Sequence, residues 1–253
     1  MNEVLHTILS SKAVVKDDGT TRSLDANITK EEGDFIQEMI RVSRPRVSLE
    51  IGCAYGVSSL YICEALREVN ATKHIIIDPW QNLPYGQGPG TGWEGIGLSN
   101  IRRAGYEDLV EFLEAPSYQC LSRLAEEGVK IDFAFIDGQH TFDYVLVDVF
   151  LIDKILKPSG IIILDDFEYP SIASVCRYVL LNLPYKCIGP RSRRIALRSA
   201  IRTIRRAGLF ALGRTIQLNL PITKTYIAVE KLQEDLISET PDATRHWTDH
   251  VRF

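Results

Sequence analysis

The chain has 253 residues, 45% of them hydrophobic and 25% charged, with a formal net charge of −4. That length suits one large soluble domain, and the acidic balance argues against a surface built to hold nucleic acid. The five cysteines are scattered with no C-x-x-C pair, which suggests neither a disulfide frame nor a zinc site. No signal peptide or membrane-spanning run is legible, so the expected setting is the reducing cytoplasm.

Residues 1–28 are polar and mixed. Thr29-Lys-Glu-Glu32 reads as a capping box that opens a helix, with Phe35, Ile36, Met39 and Ile40 on its apolar face and Pro45 ending it. The period then changes. VSLEI (47–51), HIIID (74–78), LVEFLE (109–114), IDFAFID (131–137) and GIIILDD (160–166) are short apolar runs with acids at or near their ends. Between them lie helical stretches, clearest at 142–156, where Val145, Val149, Ile152 and Leu156 form one stripe. Runs apolar on both faces that alternate with helices predict a parallel sheet in a doubly wound α/β domain. TYIAVEKL (225–232) predicts a last strand.

Two segments break this rhythm. Residues 81–97, QNLPYGQGPGTGWEGIG, read as a long loop, either a lid over a site or a plain surface insertion. Residues 191–214 carry eight arginines and no acid, with Leu197, Ala200, Ile201, Ile204 and Ala211 at helical spacing. Such a basic amphipathic helix can make a weak peripheral contact with an anionic membrane or touch an anionic substrate. The favoured reading is a solvated face or a subunit contact in a homo-oligomer. The chain is read as one domain: an N-terminal helical or lid region (1–45), a cofactor-binding core (46–185), a basic helical insertion (186–224), and a last strand with its tail (225–253).

Ligands of doubly wound folds sit beyond the carboxyl ends of the strands. The first strand runs into Glu50-Ile-Gly52-Cys-Ala-Tyr55-Gly56-Val-Ser58. Gly52 and Gly56 let the backbone approach a ligand, and the following helix start offers free amides, with the Ser58 hydroxyl beside them. The spacing is not the G-x-G-x-x-G of dinucleotide sites. Glu50 would repel a pyrophosphate and welcome an ammonium. Asp78 ends the second strand, where an acid accepts hydrogen bonds from ribose hydroxyls; a solvated strand-end acid is the plainer alternative. A cofactor with amino acid, ribose and base and no phosphate is S-adenosylmethionine.

Together LEIGCAYGVSSL, IDPW, FLEAPS, FIDGQHTFDYVLVD and LKPSGIIILDD resemble the class I S-adenosylmethionine-dependent methyltransferases. More narrowly, they resemble the metal-dependent O-methyltransferases of catechol and of macrolide or other sugar type. The resemblance covers roughly 30–185. It implies a Rossmann-like, seven-stranded, mostly parallel sheet with helices on both faces and one antiparallel strand. It places Glu50, Gly52 and Ser58 on the methionine part, Asp78 on the ribose, Ser117 near the adenine, and Asp137 at the methyl-transfer centre. Pro158-Ser-Gly160 departs from the two glycines usual in the family, in a turn that is structural.

Asp137, Asp165 and Asp166 end adjacent strands and converge on one crevice. Carboxylates so placed repel unless a cation sits among them, and all-oxygen donors suit Mg²⁺, Mn²⁺ or Ca²⁺. The alternative is that Asp165 and Asp166 only cap the next helix. His140, three residues past Asp137, stands where catechol-type relatives have a lysine base and some sugar-methylating relatives a histidine; otherwise it only ties the loop. The expected activity is O-methylation of a small-molecule or glycosyl hydroxyl. The competing expectations are a silent module that keeps the fold and, further off, an NAD-dependent oxidoreductase, which the glycine spacing and Glu50 disfavour.

Overall fold

The computed structural model describes residues 1–86, 92–189 and 226–233. The basic segment 191–214 and the tail from 234 lie outside them, as do residues 87–91 of the long loop. The chain opens with helix α1 (Glu3–Ser11), the hairpin β1 (Ala13–Val15) and β2 (Thr21–Ser23), and helix α2 (Lys30–Ser43). Then come β3 (Val47–Ile51), α3 (Val57–Glu68), β4 (Lys73–Ile77), α4 (Ile96–Arg103), β5 (Val110–Leu113), α5 (Ser117–Glu126), β6 (Ile131–Ile136) and α6 (Phe142–Ile155). β7 (Leu156–Leu164), α7 (Pro170–Asn182), β8 (Tyr185–Gly189) and β9 (Ile227–Lys231) complete it.

Seven strands form one sheet in the order β5-β4-β3-β6-β7-β9-β8. β3 to β7 pair in parallel, and β9 runs antiparallel between β7 and β8. This is the doubly wound sheet with one reversed strand that the sequence resemblance implies. Each face carries its own apolar layer. Phe133, Phe135, Ile76 and Ile163 pack with α1 to α4 on one side, while Leu49, Ile75, Ala134 and Ile162 pack with α5 to α7 on the other. Period-two alternation sends neighbours along a strand to opposite layers, so both faces had to be apolar. Burying a phenylalanine such as Phe133 or Phe135 contributes about 1.5–3 kcal/mol.

The predicted capping box opens α2: Thr29 is the N-cap and its Oγ1 accepts from the Glu32 amide at 3.2 Å. The N-terminal residues, read from sequence as merely polar and mixed, instead form α1 and a hairpin. Leu5, Ile8, Val14 and Ile28 of this region are buried in the main core. The hairpin turn is Lys16-Asp-Asp-Gly19-Thr20, in which Asp18 accepts from the Thr20 amide at 2.8 Å. The Asp-Gly just after the short apolar run Ala13-Val14-Val15 was the available signal. At the end of β9 Lys231 is fully buried, and its ammonium donates to the carbonyls of Asp153 (2.6 Å) and Leu156 (2.9 Å). This bolts β9 to the end of α6.

Candidate active site

Strand order reverses between β3 and β6, so their connections leave in opposite directions and open a crevice at the strand ends. Ladder bonds continue past the strands and fix the register there. The Gly52 amide donates to Ile77 O, Asp137 to Ile51 O and Asp165 to Ile136 O, all at 2.9–3.0 Å. Gly52 has φ +89°, and a Cβ at that position would lie 2.0 Å from the carbonyl oxygen of Asp137. Only glycine fits, and the space it leaves is the floor of the crevice. Gly56, at φ +79°, caps α3 without a side chain, so the first amides of the helix stay open toward the site.

Two cavities of about 370 and 380 Å³ flank this floor. The first is lined by Ile77, Asp78, Trp80, Ser117, Tyr118 and Tyr144. The second holds Asp25, Asn27, Ser58, His140, Asp165 and Asp166. Gly52, Ala54, Trp93, Asp137 and Gly138 line both. Asp78 is 3% exposed and also holds the Gly loop: its Oδ2 accepts from the amides of Cys53 (3.1 Å) and Ala54 (3.2 Å). Burial raises its carboxyl above the usual range, and these amide bonds oppose the rise.

Glu50 lines neither cavity. Strand alternation turns it beneath the loop, fully buried, where it accepts from Ser59 Oγ at 2.6 Å and lies 3.0 Å from His74 Nε2. His74 Nδ1 in turn meets Ser48 Oγ at 2.8 Å. Oε1 of Glu50 is buried with no partner among the described residues.

In the second cavity His140 Nε2 lies 2.9 Å from Asp166 Oδ2 and 3.4 Å from Asp137 Oδ1. Hydrogen bonds donated by the imidazolium to Asp137 and Asp166 raise its pKa to about 10. Its ring stacks on Tyr169, 5.5 Å between centroids, and Ser171 Oγ donates to its carbonyl at 2.6 Å. Ligand atoms of Asp137, His140 and Asp166 all fall within 4.8 Å of one another. Asp166 adopts φ +51°, a left-handed turn that separates its side chain from that of Asp165. Asp165 is 8% exposed, accepts from the Asp166 amide at 2.7 Å, and shares a hydrogen bond with the buried Glu32. Burial and then Asp165 push the Glu32 carboxyl strongly upward; burial also raises Asp165.

A crevice at the switch point, a glycine floor and a strand-end acid are shared by many doubly wound proteins, but residues 49–167 match the family described as a methyltransferase domain. Over that stretch, just under half of the chain, the protein is similar to a methyltransferase domain. An Arabidopsis thaliana protein named as a caffeoyl-CoA O-methyltransferase is 27% identical over 155 residues, 61% of this chain and 60% of that protein. The chain thus spans less than two thirds of that relative's length. An O-methyltransferase of Bacillus cereus, solved with S-adenosylhomocysteine, superposes with a TM-score of 0.57 at 18% identity, covering 76% of this chain and 85% of that one. The O-methyltransferase TomG of Streptomyces achromogenes, solved with S-adenosylmethionine, gives 0.54 at 17% identity over 92% and 91%. At such identities these structures bear on the fold.

The methyltransferase fold gathers most of the residues singled out from sequence. Gly52, Ser58, Asp78, Ser117, Asp137, His140, Asp165 and Asp166 all line the paired cavities, whereas Gly56 and Glu50 line neither, Glu50 lying below the loop. Sequence reading missed Trp93, Tyr55, Gln81, Asp25 and the His74 support of Glu50. It took Glu32 for a capping residue alone. Alternation along β4 sets His74 two residues before Ile76 on one face of the sheet, a signal for a buried histidine. Nothing local in the sequence points Asp25 or Trp93 at the crevice.

Proposed function

We propose that this methyltransferase moves the methyl group of S-adenosylmethionine to a hydroxyl of a small molecule or glycosyl unit, beside a divalent cation. The observation that carries the proposal is the shared wall at Asp137: one cavity suits a nucleoside, and the other sets a histidine against carboxylates within reach of it.

The cofactor fits the residues present. Asp78 offers a carboxylate to the ribose, with Ser117 at the same cavity for the base. The Gly52 floor is open and Ser58 stands at the start of α3 for the amino-acid end, whereas Glu50, expected there from sequence, lies beneath the loop and lines neither cavity. A cation fits as well, since Asp137 and Asp166 bring carboxylate oxygens within 4.8 Å of each other and Asp165, although turned toward Glu32, lines the same cavity with a further oxygen donor. Held by these three, Mg²⁺ (or Mn²⁺ or Ca²⁺) would lower the pKa of an acceptor hydroxyl and orient it.

The chain's own residues do the rest. Asp137 and Gly138 hold the boundary across which an in-line displacement must run, and such alignment supplies ~7–11 kcal/mol. The acceptor oxygen bonds to the methyl carbon as the carbon–sulfur bond breaks, giving the neutral thioether and one proton. His140 is placed to take that proton. Asp137 and Asp166 hold its imidazole protonated while it is their main counter-charge, so it acts as base only when their charge is met by another cation. Tyr169 and Ser171 fix the ring and its loop. A vicinal diol, glycosyl or catechol, suits this site, and a histidine rather than a lysine favours the sugar.

The test begins with binding. Calorimetry should give micromolar-range dissociation constants for S-adenosylmethionine and S-adenosylhomocysteine. A screen of sugar and catechol acceptors should then show turnover that falls on chelation and returns with Mg²⁺ or Mn²⁺. His140→Ala should lower the rate by ~10²–10⁴-fold. No binding of either ligand at millimolar concentration would sink the proposal, and full turnover in chelator would remove the cation from it.

A further inference from the structure

Trp93 stands where the two cavities meet and, of the described residues that line both, is the one aromatic. Its position is built from several sides. The Trp93 amide donates to Trp80 O and its carbonyl accepts from the Ile96 amide, each at 3.1 Å. The indole sits edge-on to Tyr55, 5.1 Å between centroids at 77°. Tyr55 is 1% exposed, and its hydroxyl donates to Asp25 at 2.9 Å. Next in sequence, Glu94 pairs with Lys16 at 3.2 Å and Arg22 at 2.7 Å, which ties the loop to the N-terminal hairpin. Gln81 is fully buried; its Nε2 donates to Ala54 O at 3.0 Å while its Oε1 accepts from the Gly97 amide at 3.0 Å. The described flanks of the long loop are therefore fastened to the Gly loop rather than standing free above it.

The chemistry of the cofactor then sets what Trp93 faces. S-Adenosylmethionine carries its sulfonium between an adenosyl half and an amino-acid half. With the ribose at Asp78 in one cavity and the amino-acid end toward Ser58 in the other, the sulfonium lies along the stretch that both cavities share. We propose that the indole of Trp93 packs against the sulfonium there and makes the site prefer the charged methyl donor to its neutral thioether product. The inference rests on the cofactor reading above. An aromatic ring attracts a cation through its quadrupole, indole most strongly, and more so where water is excluded. A bare sulfonium with carbon on three sides is poorly solvated and suits such a partner. Transfer of the methyl group removes the charge, so the attraction ends as product forms.

The deciding measurement is the ratio of two affinities. S-Adenosylmethionine and S-adenosylhomocysteine are titrated calorimetrically into the full chain as wild type, Trp93→Phe and Trp93→Leu, with thermal unfolding as the check on folding. Trp93→Leu should lose about three- to thirty-fold in affinity for the sulfonium ligand relative to the thioether, with Trp93→Phe between. Any packing lost with the indole weakens both ligands alike and leaves the ratio unchanged. Equal losses, or no loss, in a protein that binds both ligands would overturn this role for Trp93 and leave the cofactor reading standing. A wild type that binds neither ligand overturns both.

Discussion

Replacing Gly52 by alanine probes the floor of the site directly. The added methyl would sit 2.0 Å from Asp137 O and 2.8 Å from its carbonyl carbon. Real Cβ atoms stay beyond 3.0 Å, so the ends of β3 and β6 must part by about 1 Å (3.0 less 2.0), in an interior that does not yield easily. The bond from the Asp137 amide to Ile51 O, 2.9 Å long, lies at that point and is strained with them. Holding alanine at φ +89° costs about 1–2 kcal/mol, and forcing the backbones apart about 1–3 kcal/mol more. The sum, about 2–5 kcal/mol, corresponds to a fall in Tm of roughly 4–20 °C for a domain of this size. Gly128→Ala is the control, with φ +70° and nothing within 4 Å of its Cβ, so it carries the first cost alone. Thermal unfolding of the two variants separates strain from contact. S-Adenosylhomocysteine titration should show at least tenfold weaker binding in Gly52→Ala and none of that loss in Gly128→Ala. Equal melting temperatures with wild-type affinity in both would refute the close approach of Gly52 to Asp137.

Three further outcomes follow from the same geometry. Asp78→Asn keeps the side chain's size but removes its charge and an acceptor; calorimetry should show S-adenosylhomocysteine binding weaker by on the order of 1–3 kcal/mol. His74→Ala leaves the buried carboxylate of Glu50 with one partner fewer and a cavity beside it. Denaturant unfolding should show a loss of about 3 kcal/mol, and a loss below about 1 kcal/mol would mean that His74 does not support Glu50. Asp166→Asn takes away the nearer of the two carboxylates on His140. Nitrogen-15 NMR of the imidazole in chelator should show a pKa of about 10 in the wild type and a lower one in the variant. The sign for stability follows. A raised folded-state pKa contributes stability that is complete below the unfolded value near 6.5 and lost as pH rises through about 10, so the wild type should lose more stability across that window than Asp166→Asn.

The sequence by itself determined the sheet and most of the site's cast. IDFAFID and GIIILDD had to be buried strands because they are apolar at both parities, VSLEI alternates apolar with polar residues, and a parallel sheet puts the residues after such strands at one edge. Asp78, Asp137, Asp165 and Asp166 were therefore legible as residues of one sheet edge, whereas the order β4-β3-β6-β7 that sets their spacing is seen only in the folded sheet. Thr29 and Glu32 marked a helix start because capping is decided within four residues. The contribution of the tertiary structure begins where a side chain's direction depends on segments far away in the chain. Glu50 and Asp165 are strand-end acids, yet Glu50 lies beneath the loop on His74, and Asp165 leans toward Glu32 from α2, more than a hundred residues before it. His140 was recognised by its offset from Asp137, and that pair is local, but its shorter ion pair with Asp166 exists only once β6 and β7 lie side by side. Trp93 stood in a Gly- and Pro-rich loop with no periodicity to read. Its place between the cavities is set by Tyr55, Trp80 and Glu94's partners in the N-terminal hairpin, contacts that local pattern does not encode. Short-range rules fix which elements form and in what order they pair, whereas side-chain direction and charge in a crevice depend on every element that closes over it.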